Sequence, residues 1–442
     1  MVNKGSMGTF SESLLKPWPF SKHKHVLVKL AVALFLMGLA FRLYSSHGEA
    51  ITPVSNVPIS SQIELSSDPP AIDSANDENG GGSESGAGEK CDLFKGEWIY
   101  DPSGPHYTNE SCQVIEDHQN CMSNGRPDSG YLYWRWKPSS CNLSQFDGKR
   151  FLENMVNKRW GFIGDSISRN HVQSLLCLLS KVESATEIYH DEEYKSKTWH
   201  FPSFNFTLAV IWSPFLIKSV SLEDINGVST SENKLYLDVL DTKWITQFDS
   251  FDYVIISGGK WFLKAGIYLE NNTVVGCHYC PGKNLTELGF QYSYEKALKL
   301  VLNYIINSNH KGLILFRTST PDHFEKGEWF SGGTCKRTVP FKNGEISMTD
   351  VDRILHRIEL EVYEKALEEG TAKGLRLELM DTTQLSLLRP DGHPGPYRQF
   401  YPFAKDKNAT VQNDCLHWCL PGPIDSWNDI VMKIVLDERR SR

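Results

Sequence analysis

The sequence of 442 residues predicts an α/β fold in which a parallel sheet lies between layers of helices. Short apolar runs alternate with helical patterns from residue 160 onward, and this alternation favours parallel strands joined by helices. Apolar residues make up 40% of the chain, which is enough to fill a large packed core. The third observation is a Gly-Asp-Ser tripeptide directly after the first apolar run, because ligands of such sheets bind at the carboxyl ends of the strands.

The apolar runs give the expected strands, and the 3.6-residue patterns give the expected helices. In the helix after the first strand, Val172, Leu175 and Leu179 share one face. No sheet is expected in the irregular, cysteine-rich segment of roughly 60 residues that begins at Cys91. The expected strands are 160–163, 206–212, 253–257, 313–316 and 375–380. The expected helices are 168–182, 294–306, 350–369 and 425–436.

The N-terminal segment predicts a membrane anchor. Residues 26–44 (VLVKLAVALFLMGLAFRLY) are apolar apart from Lys29 and Arg42, and lysines precede them. Basic residues before a span keep that end cytosolic, so residues 1–25 are expected to be a cytosolic tail. A cleaved signal peptide is the alternative, although the lead before the apolar core is long for one. Residues 45–90, rich in Ser, Gly, Pro and Asp, are expected to be a flexible lumenal stem before a lumenal catalytic domain at 91–442.

Cysteines and glycosylation sequons indicate that this domain faces an oxidising lumen. All ten cysteines follow the stem, and an even number on one side of an anchor implies disulfides. The six sequons are Asn109, Asn142, Asn205, Asn271, Asn284 and Asn408. Zinc binding by Cys277 and Cys280 is the alternative for one pair, but no second pair has equivalent spacing, so no metal is expected.

A candidate nucleophile stands in the run GFIGDSISRN (161–170). A strand-to-helix turn exposes the hydroxyl of Ser166, and N–H groups at the helix start stabilise an oxyanion. His417 is one of three candidate bases, and Asp414 stands three residues before it. On one turn, the carboxylate holds one imidazole nitrogen while the other faces the serine. The alternative bases are His393 and His323.

Six stretches narrow this interpretation, and together they span nearly the whole lumenal domain. They are CDLFKGEW (91–98), GRPDSGYLYWRWKP (125–138), GDSISRN (164–170), FRTSTPDHFEKGEWFSGGTC (316–335), RPDGHPGPY (389–397) and DCLHWCLPG (414–422). These stretches resemble the plant trichome birefringence-like family of PC-esterases, whose members are Golgi polysaccharide O-acetyltransferases. The resemblance implies an SGNH-hydrolase-like three-layer α/β/α fold. WSPFLIKS (212–219) and ISGGKWF (256–262) resemble most the branch that acetylates xyloglucan and glucomannan.

The resemblance also implies roles for individual residues. Ser166 matches the family's nucleophile, and Asp414 and His417 match its acid and base. Asn170 is favoured as an oxyanion donor, because an amide N–H donates to a developing negative charge. The other residues assigned to the oxyanion or substrate region are Arg169 and Gly259, the latter through its backbone N–H.

A disulfide framework follows from the same resemblance. The implied bridges are Cys91–Cys141, Cys112–Cys177, Cys121–Cys419 and Cys335–Cys415, which leaves Cys277 and Cys280 to bridge locally. Cys415 and Cys419 flank His417, so these bridges would clamp the loop that carries the acid and base.

The expected reaction is a double displacement through an acetyl-serine. The expected co-substrate is an acetyl donor, acetyl-CoA or an acetylated carrier, and no bound cofactor is expected. The expected acceptor is a cell-wall hemicellulose, with xyloglucan as the first choice. The other expected partners are the Golgi membrane, through a single type II span, and other proteins of wall-polymer synthesis. A net charge of −8 gives no indication of a nucleic-acid partner. Glucomannan and xylan remain alternative acceptors, and a carbohydrate acetyl-esterase or a non-catalytic wall-polysaccharide binding protein remains an alternative class.

Overall fold

The computed structural model describes residues 91–221 and 232–440. It has thirteen strands in this part of the chain: β1 Gly96–Tyr100, β2 Trp134–Pro138, β3 Arg159–Gly164, β4 Thr186–His190, β5 Lys197–Phe201, β6 Phe206–Trp212, β7 Ile217–Val220, β8 Asn233–Leu240, β9 Tyr253–Ile256, β10 Gly266–Glu270, β11 Thr273–His278, β12 Leu313–Arg317 and β13 Arg376–Met380. The α-helices within the described residues are α1 Gly148–Asn154, α2 Ser166–Ser180, α3 Thr242–Phe248, α4 Gly289–Asn307, α5 Asp350–Ala372, α6 Thr383–Leu387 and α7 Asp425–Arg440.

The main sheet has seven strands in the order β13-β12-β9-β3-β6-β5-β4. The first five strands in this order are parallel, as the sequence predicts. β5 runs antiparallel to β6, and β4 runs antiparallel to β5, so the sheet is mixed rather than wholly parallel. The strand β3 lies near the middle, between β9 and β6, so the residues that follow it emerge close to the centre of the sheet's edge.

Helices cover both faces of the main sheet. Along β3, Phe162 belongs to the core on one face and Ile163 to the core on the other. The first core includes the apolar side of α2 and of α7, and the second includes α4 and α5. Because alternate residues of each central strand are buried on opposite faces, the strands read as continuous apolar runs. This arrangement confirms the predicted α/β class with helix layers on both sides of the sheet.

Two further sheets were not predicted. β1 and β2 form an antiparallel pair inside the segment for which no sheet is expected, so that expectation is wrong. The pair is rich in aromatic residues, and Trp98 and Trp136 pack edge to face with ring centroids 5.7 Å apart. A second, four-stranded sheet has the order β11-β10-β8-β7. β7, β8 and β11 each have several partly or fully exposed residues, and such strands carry a weaker apolar signal than strands buried on both faces.

The predicted tail (1–25), membrane span (26–44) and stem (45–90) lie outside the described residues. Within 91–221 and 232–440, no helix combines the length and the apolar character that crossing a membrane requires.

Candidate active site

The turn after β3 presents Ser166 at the first position of α2. Gly164 ends the strand with φ 155°, and a Cβ there would lie 2.6 Å from the carbonyl oxygen of Ser257, so no larger residue fits. Asp165 caps the helix, because its Oδ1 accepts a hydrogen bond from the N–H of Ile167 at 3.0 Å. Asp165 therefore shapes the turn, while the hydroxyl of Ser166 stays partly exposed.

The structure brings Ser166, His417 and Asp414 into one hydrogen-bonded row. Nε2 of His417 lies 2.7 Å from Oγ of Ser166. Nδ1 of His417 lies 2.8 Å from Oδ2 of Asp414. The other carboxylate oxygen of Asp414 accepts the N–H groups of Leu416 and His417 at 3.2 and 3.0 Å. The carboxylate is thus fixed by its own turn, and it orients the imidazole toward the serine.

The electrostatics of the row suit a general base. Burial alone would lower the pKa of His417, but the adjacent Asp414 carboxylate outweighs burial and raises that pKa above its ordinary value. Burial opposes ionisation of Asp414 as well, yet the imidazole of His417 holds the pKa of this carboxyl well below its usual range. Asp414 therefore remains a carboxylate, and its charge would stabilise the imidazolium if His417 took a proton.

The loop from Asp414 to Cys419 is held at nearly every residue. Asp414 and Gly395 exchange two backbone hydrogen bonds of 2.8 and 2.9 Å. The carbonyl of Cys415 accepts the N–H of His323 at 2.9 Å. The N–H of Cys419 donates to the carbonyl of Gly392 at 2.9 Å. Disulfides Cys335–Cys415 and Cys121–Cys419 attach the loop to two further segments.

His323 and His393, the alternative bases, lie behind this loop and not at Ser166. Nδ1 of His323 lies 2.7 Å from Nε2 of His393, and both side chains are buried. Nδ1 of His393 lies 2.7 Å from the carbonyl oxygen of His417. Both histidines therefore support the loop: His393 contacts its backbone, and His323 contacts His393. Sequence reasoning missed this, since a histidine that bonds to a backbone carbonyl leaves no pattern.

The structure does not support Asn170 as an oxyanion donor. Its side chain is fully buried, with Oδ1 accepting the N–H of Trp418 at 2.7 Å and Nδ2 donating to the carbonyl of Trp418 at 3.2 Å. The amide is thus turned toward the loop backbone and not toward the substrate side of Ser166. A side chain one turn after the nucleophile is close to Ser166 in sequence, but the direction of this amide is set by a partner 248 residues away.

Arg169 and Gly259 lie at the same end of the sheet. Nη2 of Arg169 donates to both carboxylate oxygens of Glu116 at 2.7 and 2.8 Å. Gly259, with φ 140°, follows β9, the strand beside β3. Sequence reasoning also missed His118, whose ring packs edge to face on His417 at a centroid distance of 6.1 Å. Glu116 and His118 come from the irregular N-terminal segment, where no periodicity points to a site.

All ten cysteines form disulfides. The bridges are Cys91–Cys141, Cys112–Cys177, Cys121–Cys419, Cys277–Cys280 and Cys335–Cys415, which are the pairs that the resemblance implies. Among the described residues, the one cluster with metal-ligand spacing is Cys277, Cys280 and Glu287. Since its two cysteines are bonded to each other, they offer no thiolates to zinc.

The chain matches two known sequence families over adjacent segments. Residues 143–434 match PC-Esterase, the GDSL/SGNH-like acyl-esterase family found in Pmr5 and Cas1p. Residues 89–142 match the PMR5 N-terminal domain. The two matches together cover all of the part of the chain that contains cysteines.

The chain is also similar to plant proteins along most of its length. Protein trichome birefringence-like 26 of Arabidopsis thaliana is 60% identical over 353 residues, which are 79% of this chain and 78% of that protein. Protein trichome birefringence-like 25 of the same plant is 53% identical over 443 residues, 96% of each chain. Xyloglucan O-acetyltransferase 1 of Populus trichocarpa is 44% identical over 351 residues, 78% of this chain and 81% of that protein.

Proposed function

Since the chain belongs to the GDSL/SGNH-like PC-esterase family, we propose that it is an O-acetyltransferase acting on a cell-wall hemicellulose, with xyloglucan as the preferred polymer. The observation that carries the proposal is the hydrogen-bonded row of Asp414, His417 and Ser166. Such a row activates a serine for attack on an acyl carbonyl. Similarity to proteins named xyloglucan O-acetyltransferases supports the choice of polymer.

In the first half of the reaction, Nε2 of His417 takes the proton of Ser166 as Oγ attacks the acetyl carbonyl of the donor. The tetrahedral oxyanion forms at the N-terminus of α2, where the backbone N–H of Ser166 and the positive end of the helix stabilise it. The backbone N–H of Gly259 is the second donor in this proposal. Collapse of the intermediate leaves acetyl-Ser166 and expels the donor's leaving group, which takes the proton from His417.

In the second half, a sugar hydroxyl replaces the donor. His417 takes the hydroxyl proton, and the sugar oxygen attacks the acetyl carbonyl of acetyl-Ser166. The second tetrahedral intermediate then collapses, and Oγ of Ser166 regains the proton from His417. The enzyme returns to its starting state, and one acetyl ester has moved from donor to polymer with no net change in the protein.

Aromatic residues next to the nucleophile support a carbohydrate acceptor. Trp212, at the end of β6, pairs with Gly164 in the main sheet, so it lies beside the turn that carries Ser166. The ring of Trp261 packs edge to face on Trp212 at 5.3 Å and is partly exposed. Trp212 itself is buried, so Trp261 offers the accessible aromatic face, on which a sugar stacks through its apolar C–H groups.

The proposal extends to the cellular location. We infer a single-pass type II Golgi protein, with residues 26–44 as the anchor, residues 45–90 as the stem and residues 91–442 in the lumen. Five disulfides in the described part of the chain support an oxidising compartment. Exposure of the sequons supports it as well, since glycosylation needs an accessible asparagine. Asn109 is partly exposed, and the exposed sequons are Asn142, Asn205, Asn271, Asn284 and Asn408.

The test is acetyl transfer by the purified full chain. Acetyl-CoA or an acetylated carrier serves as donor, and chemically deacetylated xyloglucan, glucomannan and xylan oligosaccharides serve as acceptors. Mass spectrometry is expected to show acetylated xyloglucan with the wild-type chain and none with Ser166→Ala. Release of free acetate without an acetylated oligosaccharide would make the protein an esterase. Binding of oligosaccharide with no acetyl-enzyme on any donor would make it a non-catalytic binding protein.

A further inference from the structure

The peptide unit between His417 and Trp418 is held from two sides. Its carbonyl oxygen, which belongs to His417, lies 2.7 Å from Nδ1 of His393. Its N–H, which belongs to Trp418, donates to Oδ1 of Asn170 at 2.7 Å. One peptide plane is therefore bonded at both ends by side chains from distant segments. The plane rotates only if at least one of these bonds breaks, so the backbone leaving His417 is fixed.

Asn170 makes a second bond that completes the attachment. Its Nδ2 donates to the carbonyl of Trp418 at 3.2 Å, so the amide pairs with both backbone groups of one residue, as a neighbouring strand would. Asn170 is fully buried on α2, four residues after Ser166. Because a helix of 15 residues is stiff, the position of Asn170 sets the distance between the nucleophile and the loop.

We propose that Asn170 is a positioning residue that joins the helix carrying Ser166 to the loop carrying His417, with His393 holding the same peptide unit from the opposite side. The proposal rests on the proposed roles of Ser166 and His417 in acetyl transfer. It replaces the oxyanion role that the sequence suggests for Asn170. It also gives a function to His393, a buried histidine that takes no part in the reaction.

The reason that such an attachment matters is geometric. The imidazole of His417 must keep two short contacts at once, 2.7 Å to Ser166 and 2.8 Å to Asp414. Rotation of the following peptide plane tilts the ring away from one of them. A displacement of about 1 Å at a reacting group lowers the rate by about 100-fold. Loss of the Asn170 amide is therefore expected to lower kcat by about 100-fold, with KM for the acceptor little changed.

The sharpest test is Asn170→Asp, which keeps the volume of the side chain. One carboxyl oxygen still accepts the N–H of Trp418, but the other faces the carbonyl of Trp418 and bonds to it only when protonated. Burial raises the pKa of a carboxyl group, so the protonated form persists in mildly acidic solution. Protonation of His417 slows both proteins at low pH, so the variant is compared with the wild-type chain at each pH. The ratio of variant kcat to wild-type kcat is expected to be highest in mildly acidic solution and to fall as the pH rises, which adds an alkaline limb that the wild-type profile lacks.

Ser174→Ala is the matched control. Ser174 also lies on α2, and its hydroxyl donates to Asp425 at the start of α7, so it ties the same helix to the C-terminal region without touching the loop. This variant is expected to keep the shape of the wild-type pH profile. A second comparison concerns His393. Asn at position 393 can still donate to the carbonyl of His417, whereas Phe cannot, so His393→Asn is expected to keep more activity than His393→Phe.

A titration without substrate separates this proposal from the proposed function. The full chain is labelled with 15N-histidine, and the pKa of His417 is followed by NMR with neither donor nor acceptor present. In Asn170→Ala, the contact with Asp414 loosens, so the pKa of His417 is expected to fall toward its ordinary value. A residue that only donated to the oxyanion would leave this pKa unchanged, because the resting protein holds no oxyanion.

The outcomes are distinguishable. If the wild-type chain transfers no acetyl group to any acceptor, the proposed function fails, while the NMR titration still decides whether Asn170 positions His417. If Asn170→Ala does not fold, the pH dependence of Asn170→Asp, which keeps the side-chain volume, carries the test. An unchanged His417 pKa together with an Asn170→Asp profile of wild-type shape would overturn the positioning role.

Discussion

Nε2 of His417 lies 2.7 Å from Oγ of Ser166, although 251 residues separate the two in the chain. The proposed chemistry depends on this contact. Ser166→Ala and His417→Ala are each expected to lower acetyl transfer by about four to six orders of magnitude, because the first removes the nucleophile and the second removes its base. Asp414→Asn is expected to be severe but to leave a higher residual rate. Initial rates with a xyloglucan acceptor, alongside circular dichroism to verify the fold, measure these effects.

The same experiment tests the choice of base. His323→Ala and His393→Ala remove histidines that support the loop but lie behind it. Each is expected to keep measurable activity. Activity in His417→Ala together with complete inactivity in His323→Ala or His393→Ala would show that the wrong histidine has been assigned.

The acid limb of the pH–rate profile reports the state of His417. The imidazole accepts a proton only when neutral, and contact with Asp414 raises its pKa above the ordinary 6.5. The rate constant kcat/KM is therefore expected to rise with pH through a midpoint above 6.5 and then to level off. In Asp414→Asn the midpoint is expected to shift to lower pH, because the negative charge that raises the pKa of His417 is gone. If the midpoint does not shift in this variant, Asp414 is not the cause of the raised His417 pKa.

Disulfide loss is expected to affect activity unequally. Cys335–Cys415 closes a loop with a sequence separation of 80 and ends inside the catalytic loop. Cys277–Cys280, with a separation of 3, lies at the end of β11 and serves as the control. Chain entropy makes the first bridge worth about 4.5 kcal/mol and the second about 1.6 kcal/mol. Replacement of the Cys335–Cys415 pair by serines is expected to abolish transfer, and replacement of the local pair is expected to spare it.

Stepwise reduction of the wild-type chain complements these variants. Activity is expected to disappear before the far-ultraviolet circular dichroism changes, since the loop loses its anchors while the sheet core remains packed. Non-reducing peptide mapping identifies the bridge that opens at each step. Full activity after both Cys415 and Cys419 have become free thiols would contradict this account of how the base is held.

Stability is expected to depend on Asp429, a buried carboxyl on α7. Burial raises its pKa from 3.8 to about 8. Between these values the folded state keeps a proton that the unfolded chain releases, so the free energy of unfolding falls as pH rises through this window. Asp429→Asn keeps the acceptor for the N–H of Phe146 and removes the titration. Its melting temperature is expected to vary less with pH than that of wild type, while Asp437→Asn, exposed on the same helix, behaves as wild type.

Topology is tested in sealed microsomes. Residues 91–442 are expected to resist added protease and to carry glycans at several of the six sequons, while residues 1–25 are digested from outside. Glycosidase treatment that shifts the mobility of the protected fragment measures the glycans. Digestion of the catalytic domain in intact vesicles would contradict the proposed orientation.

The central sheet was accessible to sequence reasoning because its strands are buried on both faces. Apolar runs such as 206–212 leave a signal that does not depend on partners, and the structure places β6 at Phe206–Trp212. The turn at residues 164–166 could also be predicted, because it depends only on local structure: Gly164 permits the positive φ and Asp165 caps the helix. Local patterns could not identify the histidine that contacts Ser166, because the chain has fourteen histidines and only the resemblance favoured one of them.

The remainder depends on contacts between segments far apart in the chain. The sheet of β1 and β2 joins strands more than thirty residues apart, and their mixture of buried and exposed aromatic residues fits loops equally well. The part that Asn170 plays is set by Trp418, and that of His393 by His417, so neither is readable from neighbours in sequence. Sequence patterns describe which side chains are present near a site, but their direction is decided by tertiary packing.

The placement of the candidate catalytic residues has a consequence for biosynthesis. Ser166 is added 251 residues before His417, and the two bridges of the catalytic loop require cysteines at 415 and 419. A chain under synthesis therefore contains an unactivated serine alcohol until its last segment has been made and oxidised. Premature products that stop before Asp414 would be inert toward acetyl donors. Catalytic competence is thus restricted to molecules that have been synthesised past the loop and correctly crosslinked.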